Sequence, residues 1–404
     1  MNNPGILENV LGDAVAALLA IDAGKVSLDD VLDQADPGYR RSFEHLLLNI
    51  FRFRKSVSDH WRQFCTRGPA PEIAALLDAA LSQCLFQNSV ASQSVVNVAV
   101  SMAKKKHADK FVNAVLRKSL REKWSVPDAP EKLLPAAVLK RWRKMFAPET
   151  VAELAGLFIS EAPFTFRLCK DAELPANASA AAGFGGFRFA AANGRDILTS
   201  AEFAAGQYYI QDPAASLAVS LAVDELPEHP NVLDLCAAPG GKALMLAERI
   251  PENGTLTAAD RSARRQELTR ENFRKRHLPA RIITARPEDI TGKYDLVLAD
   301  VPCSNSGVFR RRPDALWRFS EKSLQEIMAL QNQIIVRAAG LVVPGGVLIC
   351  SSCSIDTDEN DSLVDSVLKN HPDFECVSKH TLLPAADHDG AFAAKLVRKR
   401  SAHS

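Results

Sequence analysis

Two cysteines follow apolar segments that have the composition of buried strands. Cys303 comes after the segment Leu296 to Ala299, and Cys353 comes after the segment Val347 to Ser351. Because neighbouring parallel strands end at one edge of a sheet, the two thiols can meet despite their distance in sequence. A thiolate that adds to carbon 6 of a pyrimidine activates carbon 5, whose proton a base must later remove. If a methyl donor were bound beside them, two such thiols would therefore suit the methylation of a pyrimidine at carbon 5.

The same cysteines also have simpler interpretations. Cys350 and Cys353 form a CxxC pair, which elsewhere serves as a redox centre or as half of a zinc site. The sequence has no second CxxC pair, and this one ends a strand instead of opening a helix, so we expect no metal. We interpret Cys236 and Cys350 as small core residues. Considered alone, Cys303 and Cys353 would also be interpreted as inert buried thiols.

A turn of small residues indicates a ligand site. Pro239-Gly240-Gly241 lies between a predicted strand, Val232 to Leu235, and a helix that starts near Lys242. Glycine permits close backbone approach and positive φ, and a helix start favours a negative group such as a cofactor carboxylate. Asp260 follows the next predicted strand, where dinucleotide-binding folds place an acceptor for ribose hydroxyls. Its alternative role is to cap the following helix.

Two common nucleotide motifs are excluded at this turn. A P-loop requires Gly, and then Ser or Thr, at the positions that Cys236 and Ala243 occupy here. A nicotinamide fingerprint requires alternating glycines, and the stretch Ala237 to Gly241 lacks the first of them. The turn therefore predicts a cofactor site without identifying the cofactor.

The carboxyl-terminal half has the pattern of an α/β fold. After Gln207, strand-like segments alternate with helix-like segments such as Ser262 to Arg276 and Glu321 to Ala339. This alternation predicts a doubly wound, mainly parallel sheet covered on both faces. The candidate strands are Val232 to Leu235, Thr255 to Ala259, Arg281 to Thr284, Leu296 to Ala299 and Val347 to Ser351, with Phe374 to Ser378 and Phe392 to Val397 as an edge pair.

The amino-terminal region has helical periodicity from about Ile6 to Trp124 and predicts an all-helical bundle. Val126 to Pro130, with two prolines, marks its end. In the less regular stretch that follows we expect one helix, Ala137 to Ala155, and one strand, Phe164 to Leu168. We therefore predict three domains: an all-helical domain at residues 1–126, a small linking subdomain at residues 127–206 and the α/β domain at residues 207–404.

The charge distribution favours a nucleic-acid partner more than the total charge does. The chain of 404 residues is 47% hydrophobic and 24% charged, with a net charge of +1, which is ordinary globular composition. Basic residues cluster at Lys104 to Lys123, Arg261 to Arg281 and Arg310 to Arg312. Each cluster alone fits a solvated surface, but three together favour phosphate contacts.

The sequence also carries signals about location. Its first residues lack the basic start of a secretory signal, and no apolar run reaches the ~20 residues that a membrane helix needs. Eight scattered cysteines fit a reducing compartment. We therefore expect a cytoplasmic enzyme with no membrane partner.

Five short motifs lie in order along residues 208–396. They are YYIQDP at 208–213, LDLCAAPGGK at 233–242, DVPCSNSGVFRRRPDALW at 300–317, SCSIDTDEN at 352–360 and DGAFAAKL at 389–396. Together they resemble the motifs of the RNA (cytosine-5) methyltransferases of the Sun family. NAVLR at 113–117 resembles the NusB-like RNA-binding domain of the bacterial 16S rRNA member. The resemblance implies an S-adenosylmethionine-dependent methyltransferase fold preceded by an all-helical NusB-like domain.

The resemblance also implies roles for individual residues. Cys353 matches the family's nucleophile, and Cys303 matches the cysteine that frees the enzyme from methylated product. Asp300 would lie between the cofactor and the base, as a catalytic residue. The residues implied in S-adenosylmethionine binding are Cys236, Ala237, Ala238, Pro239, Gly240, Gly241, Lys242, Asp260, Asp289 and Asp300.

Three positions depart from the family pattern. Ser352 replaces a Thr and keeps its hydroxyl group, and Arg312 replaces a His in a loop expected to meet RNA. Arg286 stands where the family carries an acid near the adenine, and Glu288 and Asp289 follow it. Of these two acids, we assign the adenine contact to Asp289.

The sequence thus predicts a monomeric methyltransferase that forms 5-methylcytidine, with S-adenosylmethionine as its cofactor and 16S rRNA as its partner. The target base must be unstacked or flipped to react. The same chemistry on tRNA or on another rRNA site is the nearest alternative. A non-catalytic RNA-binding assembly factor that retains the fold is the alternative from another class.

Overall fold

The computed structural model describes residues 4–169, 171–192, 194–222 and 226–400. Within these ranges no helix combines the length and the apolar character that a membrane crossing requires. The α-helices are α1 (Pro4–Asp22), α2 (Leu28–Asp33), α3 (Arg40–Arg62), α4 (Pro71–Phe86), α5 (Ser92–Lys104), α6 (Asp109–Arg121), α7 (Ala136–Met145), α8 (Pro148–Ile159), α9 (Ala201–Ala204), α10 (Ser216–Ala222), α11 (Gly241–Ala247), α12 (Ala263–Arg276), α13 (Pro313–Arg318), α14 (Glu321–Leu341) and α15 (Thr357–Asn370). The strands are β1 (Phe164–Leu168), β2 (Ala178–Ala181), β3 (Arg188–Ala192), β4 (Tyr208–Ile210), β5 (Asn231–Asp234), β6 (Thr255–Asp260), β7 (Arg281–Thr284), β8 (Tyr294–Asp300), β9 (Val342–Ser352), β10 (Phe374–Leu382) and β11 (Ala391–Arg398).

Residue contacts divide the chain into two compact units. The first comprises Met1–Glu161 and Phe309–Ser320, and the second comprises Ala162–Val308 and Glu321–Ser404. The three-domain division with boundaries at residues 126 and 206 is finer than this one and remains a prediction.

The first unit is a helical bundle, as its apolar periodicity predicts. In α3, Phe43, Leu46 and Ile50 recur at helical spacing and are buried, and α1 and α4 pack against this helix. Trp61 is fully buried, and its Nε1–H donates a hydrogen bond to Oδ1 of Asp78 at 2.7 Å. The prediction of an all-helical amino-terminal region is confirmed.

A segment from the second half of the sequence completes the first unit. α13 lies within Phe309–Ser320 and packs against α1 and α3. Trp317 donates its Nε1–H to the carbonyl of Phe51 at 2.7 Å. The buried carboxylate of Asp314 accepts from the backbone N–H of Leu28 at 3.1 Å. These directional bonds fix α13 on the bundle.

The region between Trp124 and Phe164 contains two helices where one was expected. The prediction of a single helix over Ala137 to Ala155 is wrong, because α7 ends at Met145 and α8 begins at Pro148. Proline has no backbone N–H and disfavours helical backbone in the residue before it. Ala147 accordingly has an extended ψ of 154°.

The second unit is built on a seven-stranded sheet with the order β10-β11-β9-β8-β5-β6-β7. The strands from β9 to β7 pair in parallel, and β11 and β10 add an antiparallel pair at one edge. The predicted doubly wound, mainly parallel sheet is confirmed. From β5 the chain continues to β6 on one side and later to β8 on the other, so a crevice opens where β5 and β8 end.

Alternating side chains explain why both faces of this sheet are covered. In β5, Leu233 joins Leu348 in one apolar core, whereas Val232 joins Ile349 in the core on the opposite face. All four side chains are fully buried. Burial on both faces accounts for the continuous apolar runs in the sequence, which alternating polar residues would interrupt in a half-exposed sheet.

A second, antiparallel sheet has the order β2-β3-β1-β4, with β1 to β3 in the linking stretch and β4 just after it. The predicted strand Phe164 to Leu168 coincides with β1. Phe166 from β1 is fully buried and packs in one small core with Tyr208 from β4. Through β4, this sheet supplies residues to the cavity described below.

Candidate active site

The ends of β8 and β9 bring two thiols together. The two strands pair in parallel with Asp300 opposite Ser351, so the loops that follow them start side by side. The Sγ atoms of Cys303 and Cys353 are 2.8 Å apart. The Sγ of Cys353 also donates toward Oδ1 of Asn305 at 3.4 Å. The two cysteines that the sequence predicts as a pair are therefore neighbours.

A glycine permits the close approach of the two cysteine loops. The N–H of Gly307 donates to the carbonyl of Cys353 at 2.9 Å, and the N–H of Gly390 donates to the carbonyl of Gly307 at 2.8 Å. A Cβ at Gly307 would lie 2.6 Å from the Cys353 carbonyl oxygen and 2.9 Å from backbone atoms of Gly390. Backbone on two sides therefore excludes any side chain at this position.

The surroundings of Cys303 disfavour its ionisation. The hydrogen bond with Cys353 is the largest cause, followed by burial and by the charges of Cys353 and Glu359, and together they raise the pKa of Cys303 well above its ordinary value. Burial likewise raises the pKa of Cys350, which is fully buried in the core, as predicted. Burial also raises the pKa of Cys236, although this residue lines a cavity.

Lys242 connects the small-residue turn to the end of β8. Its Nζ donates to Oδ2 of Asp300 at 2.7 Å, and Ser351 donates to Oδ1 of the same carboxylate at 2.9 Å. Burial lowers the pKa of Lys242, but Asp300 raises it, with further contributions from Cys353 and Asp234, and the net pKa is raised. The ammonium group is therefore held in its charged form among three acidic groups.

Asp234 is a buried carboxylate at the end of β5. Apart from a minor contact with the backbone of Cys236, neither of its oxygens has a hydrogen-bond partner within the described part of the chain. Burial is the largest cause, and the negative charge of Asp300 the next, of a rise in its pKa from 3.8 to about 8. An unpaired buried acid is costly unless a ligand satisfies it, so this residue indicates a binding site for a donor or a cation.

The glycine turn has the geometry that its composition predicts. Gly240 has a φ of 103°, in the region that favours glycine, and its N–H donates to the Ala237 carbonyl at 2.7 Å. A Cβ at Gly241 would lie 2.9 Å from Nε2 of Gln211. The Asp260 carboxylate accepts from the N–H of Ala238 at 3.2 Å, so it orders this turn.

Asp260 also bonds to the start of the following helix. Its Oδ1 accepts from the N–H of Ser262 at 2.8 Å, while Ser262 is itself the N-cap residue of α12, with its hydroxyl accepting from the Arg265 N–H. Asp260 is therefore not the N-cap residue of α12, but it accepts from the backbone N–H of the residue that is.

A cavity of about 200 Å³ lies between the turn and the end of β8. Of the residues predicted to bind a cofactor, it is lined by Cys236, Ala237, Ala238, Pro239, Gly241, Lys242 and Asp300. Gly240 and Asp260 instead support the turn behind this lining. Four further lining residues were not predicted: Tyr209, Ile210, Gln211 and Asp234. The YYIQDP and LDLCAAPGGK motifs contain all four, which is the signal that could have revealed them.

The remaining predicted residue, Asp289, lies apart from this lining. It ends the short 3₁₀ helix Pro287–Asp289 and is exposed. Arg286 and Glu288 form a surface ion pair at 3.8 Å. The assignment of an adenine contact to Asp289 therefore remains a prediction.

The other two departures from the family pattern have defined partners. The hydroxyl of Ser352 donates to Oδ1 of Asn360 at 2.9 Å, so the retained hydroxyl is used in the second unit. Arg312 forms an exposed ion pair with Asp29 at 2.6 Å within the first unit. Such an exposed pair contributes little to stability.

Comparison with known families identifies both parts of the chain. Residues 221–397 match the family described as 16S rRNA methyltransferase RsmB/F, and residues 13–121 match the NusB family. The α/β part is therefore similar to the RsmB/F family. The NusB match falls on the helices of the first unit, so the combination expected from the motifs is confirmed.

Relatives of the α/β part are rRNA methyltransferases by name. Ribosomal RNA small subunit methyltransferase F of Cronobacter sakazakii is 34% identical over 199 residues, which cover 47% of this chain and 41% of that protein. Ribosomal RNA small subunit methyltransferase B of Yersinia pseudotuberculosis is 33% identical over 210 residues, which cover 49% and 48%. The match thus spans less than half the length of these relatives.

Solved structures resemble this chain in fold. The crystal structure of PH0851 aligns with a TM-score of 0.76 at 20% identity, over 96% of this chain and 98% of that one. NSun6 from Pyrococcus horikoshii, solved with SFG, aligns with a TM-score of 0.54 at 16% identity, over 66% and 99%. At these identities the likeness shows the fold alone, which is the methyltransferase fold predicted from the motifs.

Proposed function

We propose that this chain is an RNA methyltransferase that forms 5-methylcytidine from S-adenosylmethionine, as a cytoplasmic monomer. The observation that carries the proposal is the pair of thiols with sulfurs 2.8 Å apart, next to the residues that line an acidic cavity. Addition to a cytosine ring and elimination from it need a nucleophile and a base. The names of the relatives support rRNA of the small ribosomal subunit as the substrate.

The cavity fits S-adenosylmethionine by charge. The sulfonium and the α-ammonium of this molecule are cations, and the carboxylates of Asp234 and Asp300 line the cavity. Asp234 has open acceptor capacity within the described residues. When bound, S-adenosylmethionine would supply a methyl group activated for transfer. The proposed binding residues are Asp234 with the ten predicted ones: Cys236, Ala237, Ala238, Pro239, Gly240, Gly241, Lys242, Asp260, Asp289 and Asp300.

Cys353 is the proposed nucleophile. Its thiolate would form a bond to carbon 6 of cytosine, with its proton lost to solvent, and carbon 5 would become electron-rich. Cys353 is one of the groups that raise the pKa of the Lys242 ammonium. Asp300, held by Lys242 and Ser351, would accept a hydrogen bond from the cytosine amino group.

Cys303 is the proposed base for product release. After methylation, Cys303 would lose its own proton to solvent, and its thiolate would take the proton from carbon 5. The bond between carbon 6 and Cys353 would then break, releasing Cys353 as a thiolate and restoring the aromatic ring. The hydrogen bond with Cys353 is the largest cause of the raised pKa of Cys303, and burial and the charge of Glu359 also contribute. Burial and Glu359 still act when Cys353 is bonded to carbon 6, so they would make the Cys303 thiolate a stronger base.

We propose that the helical domain at residues 1–126 binds the RNA, that the subdomain at residues 127–206 links it, and that residues 207–404 form the methyltransferase domain. The end of α5 and the last turn of α6 carry Lys104, Lys118 and Arg121, and clustered positive charge attracts the phosphate backbone. The target cytidine would lie unpaired or be flipped out of its stack. We propose 16S rRNA as the RNA.

A trapped adduct tests the two-thiol mechanism. Cys303→Ala removes the base but keeps the nucleophile, so a covalent RNA–protein adduct should accumulate and survive denaturing electrophoresis. Cys376→Ala, on the edge strand β10, is the matched control and should form no lasting adduct. Methylation by Cys303→Ala at the wild-type rate, without an adduct, would refute the assignment.

The RNA target needs a separate experiment. Bisulfite sequencing of rRNA and tRNA from cells with and without the gene would reveal which methylcytidine is lost. Loss in 16S rRNA supports the proposed substrate, whereas loss elsewhere moves the same chemistry to another RNA. No loss, together with no equilibrium binding of S-adenosylmethionine, would favour a non-catalytic RNA-binding assembly factor.

A further inference from the structure

A buried carboxylate adjoins both cysteine loops. Glu359 is 0% exposed and accepts four hydrogen bonds. Its Oε1 accepts from the N–H of Ser304 at 2.9 Å and from Nε2 of Gln331 at 2.7 Å. Its Oε2 accepts from the hydroxyls of Ser304 and Ser354, each at 2.6 Å. Two donors on each oxygen form the pattern of an ionised carboxylate whose burial is compensated.

The donors are distributed over the two loops. Ser304 directly follows Cys303, and Ser354 directly follows Cys353. The Gln331 amide adds a third point of attachment, because its Nε2 also donates to the carbonyl of the residue before Cys303 at 2.9 Å. One side chain on α15 therefore connects the loops that carry both sulfurs.

The start of α15 leaves Glu359 available for this connection. Glu359 is the third helical residue, a position from which an acid usually bonds back to the N–H of the N-cap residue. Here the N-cap residue is Asp356, and its N–H donates to the hydroxyl of Ser354 at 3.0 Å instead. In α2 the usual arrangement occurs, because the Ser27 N–H donates to Asp30 at 2.9 Å.

We propose that Glu359 is a positioning residue that fixes the Cys303 loop against the Cys353 loop for methyl transfer to cytosine. Its hydrogen bonds go to residues beside the cysteines, so it acts through them. This role rests on the proposed function of the two thiols. The inference adds a residue that the family motifs contain but to which neither the motifs nor the cavity assigned a task.

The charge of Glu359 also acts on Cys303. The hydrogen bond with Cys353 and burial are the larger causes, but the Glu359 carboxylate contributes to raising the pKa of Cys303. A raised pKa keeps Cys303 protonated while Cys353 attacks, and it makes the later thiolate a stronger base. This effect gives the proposal a readout that does not depend on methyl transfer.

Glu359→Gln tests the connection kinetically. The amide keeps the shape, but its NH₂ group would face one of the donors, and the charge is lost. We expect kcat to fall about 100-fold, which is the cost of misplacing reacting groups by about 1 Å. KM for S-adenosylmethionine should change by less than about twofold, because the loss falls on the chemical step. Asp365→Asn, an exposed acid on the same helix, should match the wild type.

The pH dependence of Cys303 alkylation tests the charge. Iodoacetamide reacts with thiolates, and the tryptic peptide from Tyr294 to Arg310 contains Cys303 as its one cysteine. In Glu359→Gln the pH of half-maximal alkylation should be lower than in the wild type, because a negative neighbour has been removed. Asp365→Asn should leave it unchanged.

The outcomes separate positioning from general stability. An unchanged kcat in Glu359→Gln would overturn the proposal. Equal loss of kcat and of S-adenosylmethionine affinity, with a lowered Tm, would also overturn it, since that result indicates a structural role. If Glu359→Gln does not fold, Ser304→Ala removes one hydrogen bond and keeps the charge. It should lower kcat about tenfold with little change in KM, and a wild-type kcat would refute the inference.

Failure of the inference and failure of the proposed function have different signatures. If the wild type forms no 5-methylcytidine, the proposed function fails, whereas the alkylation shift in Glu359→Gln still supports control of Cys303 by Glu359. If the wild type forms 5-methylcytidine and Glu359→Gln matches it in both assays, this inference alone fails.

Discussion

Cys303 and Cys353 occupy matching positions at the ends of neighbouring parallel strands, but their charged neighbours differ. Cys353 is one of the groups that raise the pKa of Lys242, so the Lys242 ammonium is one of its charged neighbours. Cys303 lies near Glu359, whose carboxylate helps to raise the pKa of the Cys303 thiol. A thiolate is stabilised beside an ammonium and destabilised beside a carboxylate.

The comparison teaches that two residues of the same type can have different roles in this site when their charged neighbours differ. Two identical side chains, with sulfurs 2.8 Å apart, have different charged neighbours, because Cys353 contributes to the raised pKa of Lys242 and Glu359 contributes to the raised pKa of Cys303. The loops themselves are tied by the backbone bond from Gly307 to Cys353. We expect the nucleophile to be the cysteine that faces the cation, and three substitutions can break or sharpen this view.

The largest effect should come from Cys353→Ala. Loss of a covalent nucleophile removes the reaction path, so we expect methylation to fall by at least ~10⁴-fold, measured as tritium transfer from S-adenosylmethionine to RNA. No adduct should form, in contrast to Cys303→Ala. An adduct in Cys353→Ala would reverse the comparison and make Cys303 the nucleophile.

Lys242→Met should have the next largest effect. The apolar side chain has a similar length but cannot stabilise the Cys353 thiolate or hold Asp300, so kcat should fall about 100-fold, as for removal of one electrostatic donor. Single-turnover rates at saturating S-adenosylmethionine would measure this step. Lys369→Met, an exposed substitution on α15, is the control. A rate equal to that of the control would show that the cation is irrelevant to Cys353.

Asp234→Asn should have the smallest effect on activity and a distinct effect on pH dependence. In the protein without ligand, the pKa of Asp234 is raised from 3.8 to about 8. Between these values the folded state holds a proton that the unfolded chain has lost, so stability decreases as the pH rises. Denaturant unfolding at about pH 5 and at about pH 8 should show this decrease in the wild type and a smaller one in Asp234→Asn.

The same variant should bind S-adenosylmethionine about tenfold more weakly, since a charge-assisted hydrogen bond is lost. Isothermal titration calorimetry would measure the affinity. Tight binding by Asp234→Asn would mean that this carboxylate does not face the ligand. The contrast between the two cysteines would then depend on Lys242 and Glu359 alone.

The meeting of the two thiols was predictable because it depends on strand order and on apolar runs. Both cysteines follow strands that are buried on both faces, and such strands appear in a sequence as continuous apolar runs. The Gly240 turn was predictable for a similar reason, since its composition matches a φ of 103°. For the turn, a local pattern is sufficient.

The other features depend on partners that are distant in sequence. Asp234 ends an ordinary apolar strand, and its lack of a partner appears only when the neighbours of β5 are in place. Glu359 has the sequence of a capping box, whereas its four donors come from three separate segments. The break before Pro148 is the exception, because the proline is a local signal for a new helix, which the prediction of a single helix overlooked.

Because α13 belongs to the first unit, a single cut in the gene after the helical bundle separates α13 from the helices on which it packs. A fragment that starts after Glu161 would encode Trp317 and Asp314 without the Phe51 carbonyl and the Leu28 N–H that they bond. A fragment that stops there would in turn leave the docking face of α1 and α3 uncovered. Recombination or truncation at a single site therefore cannot transfer the helical bundle intact. Both parts of the coding sequence are needed to encode the complete first unit.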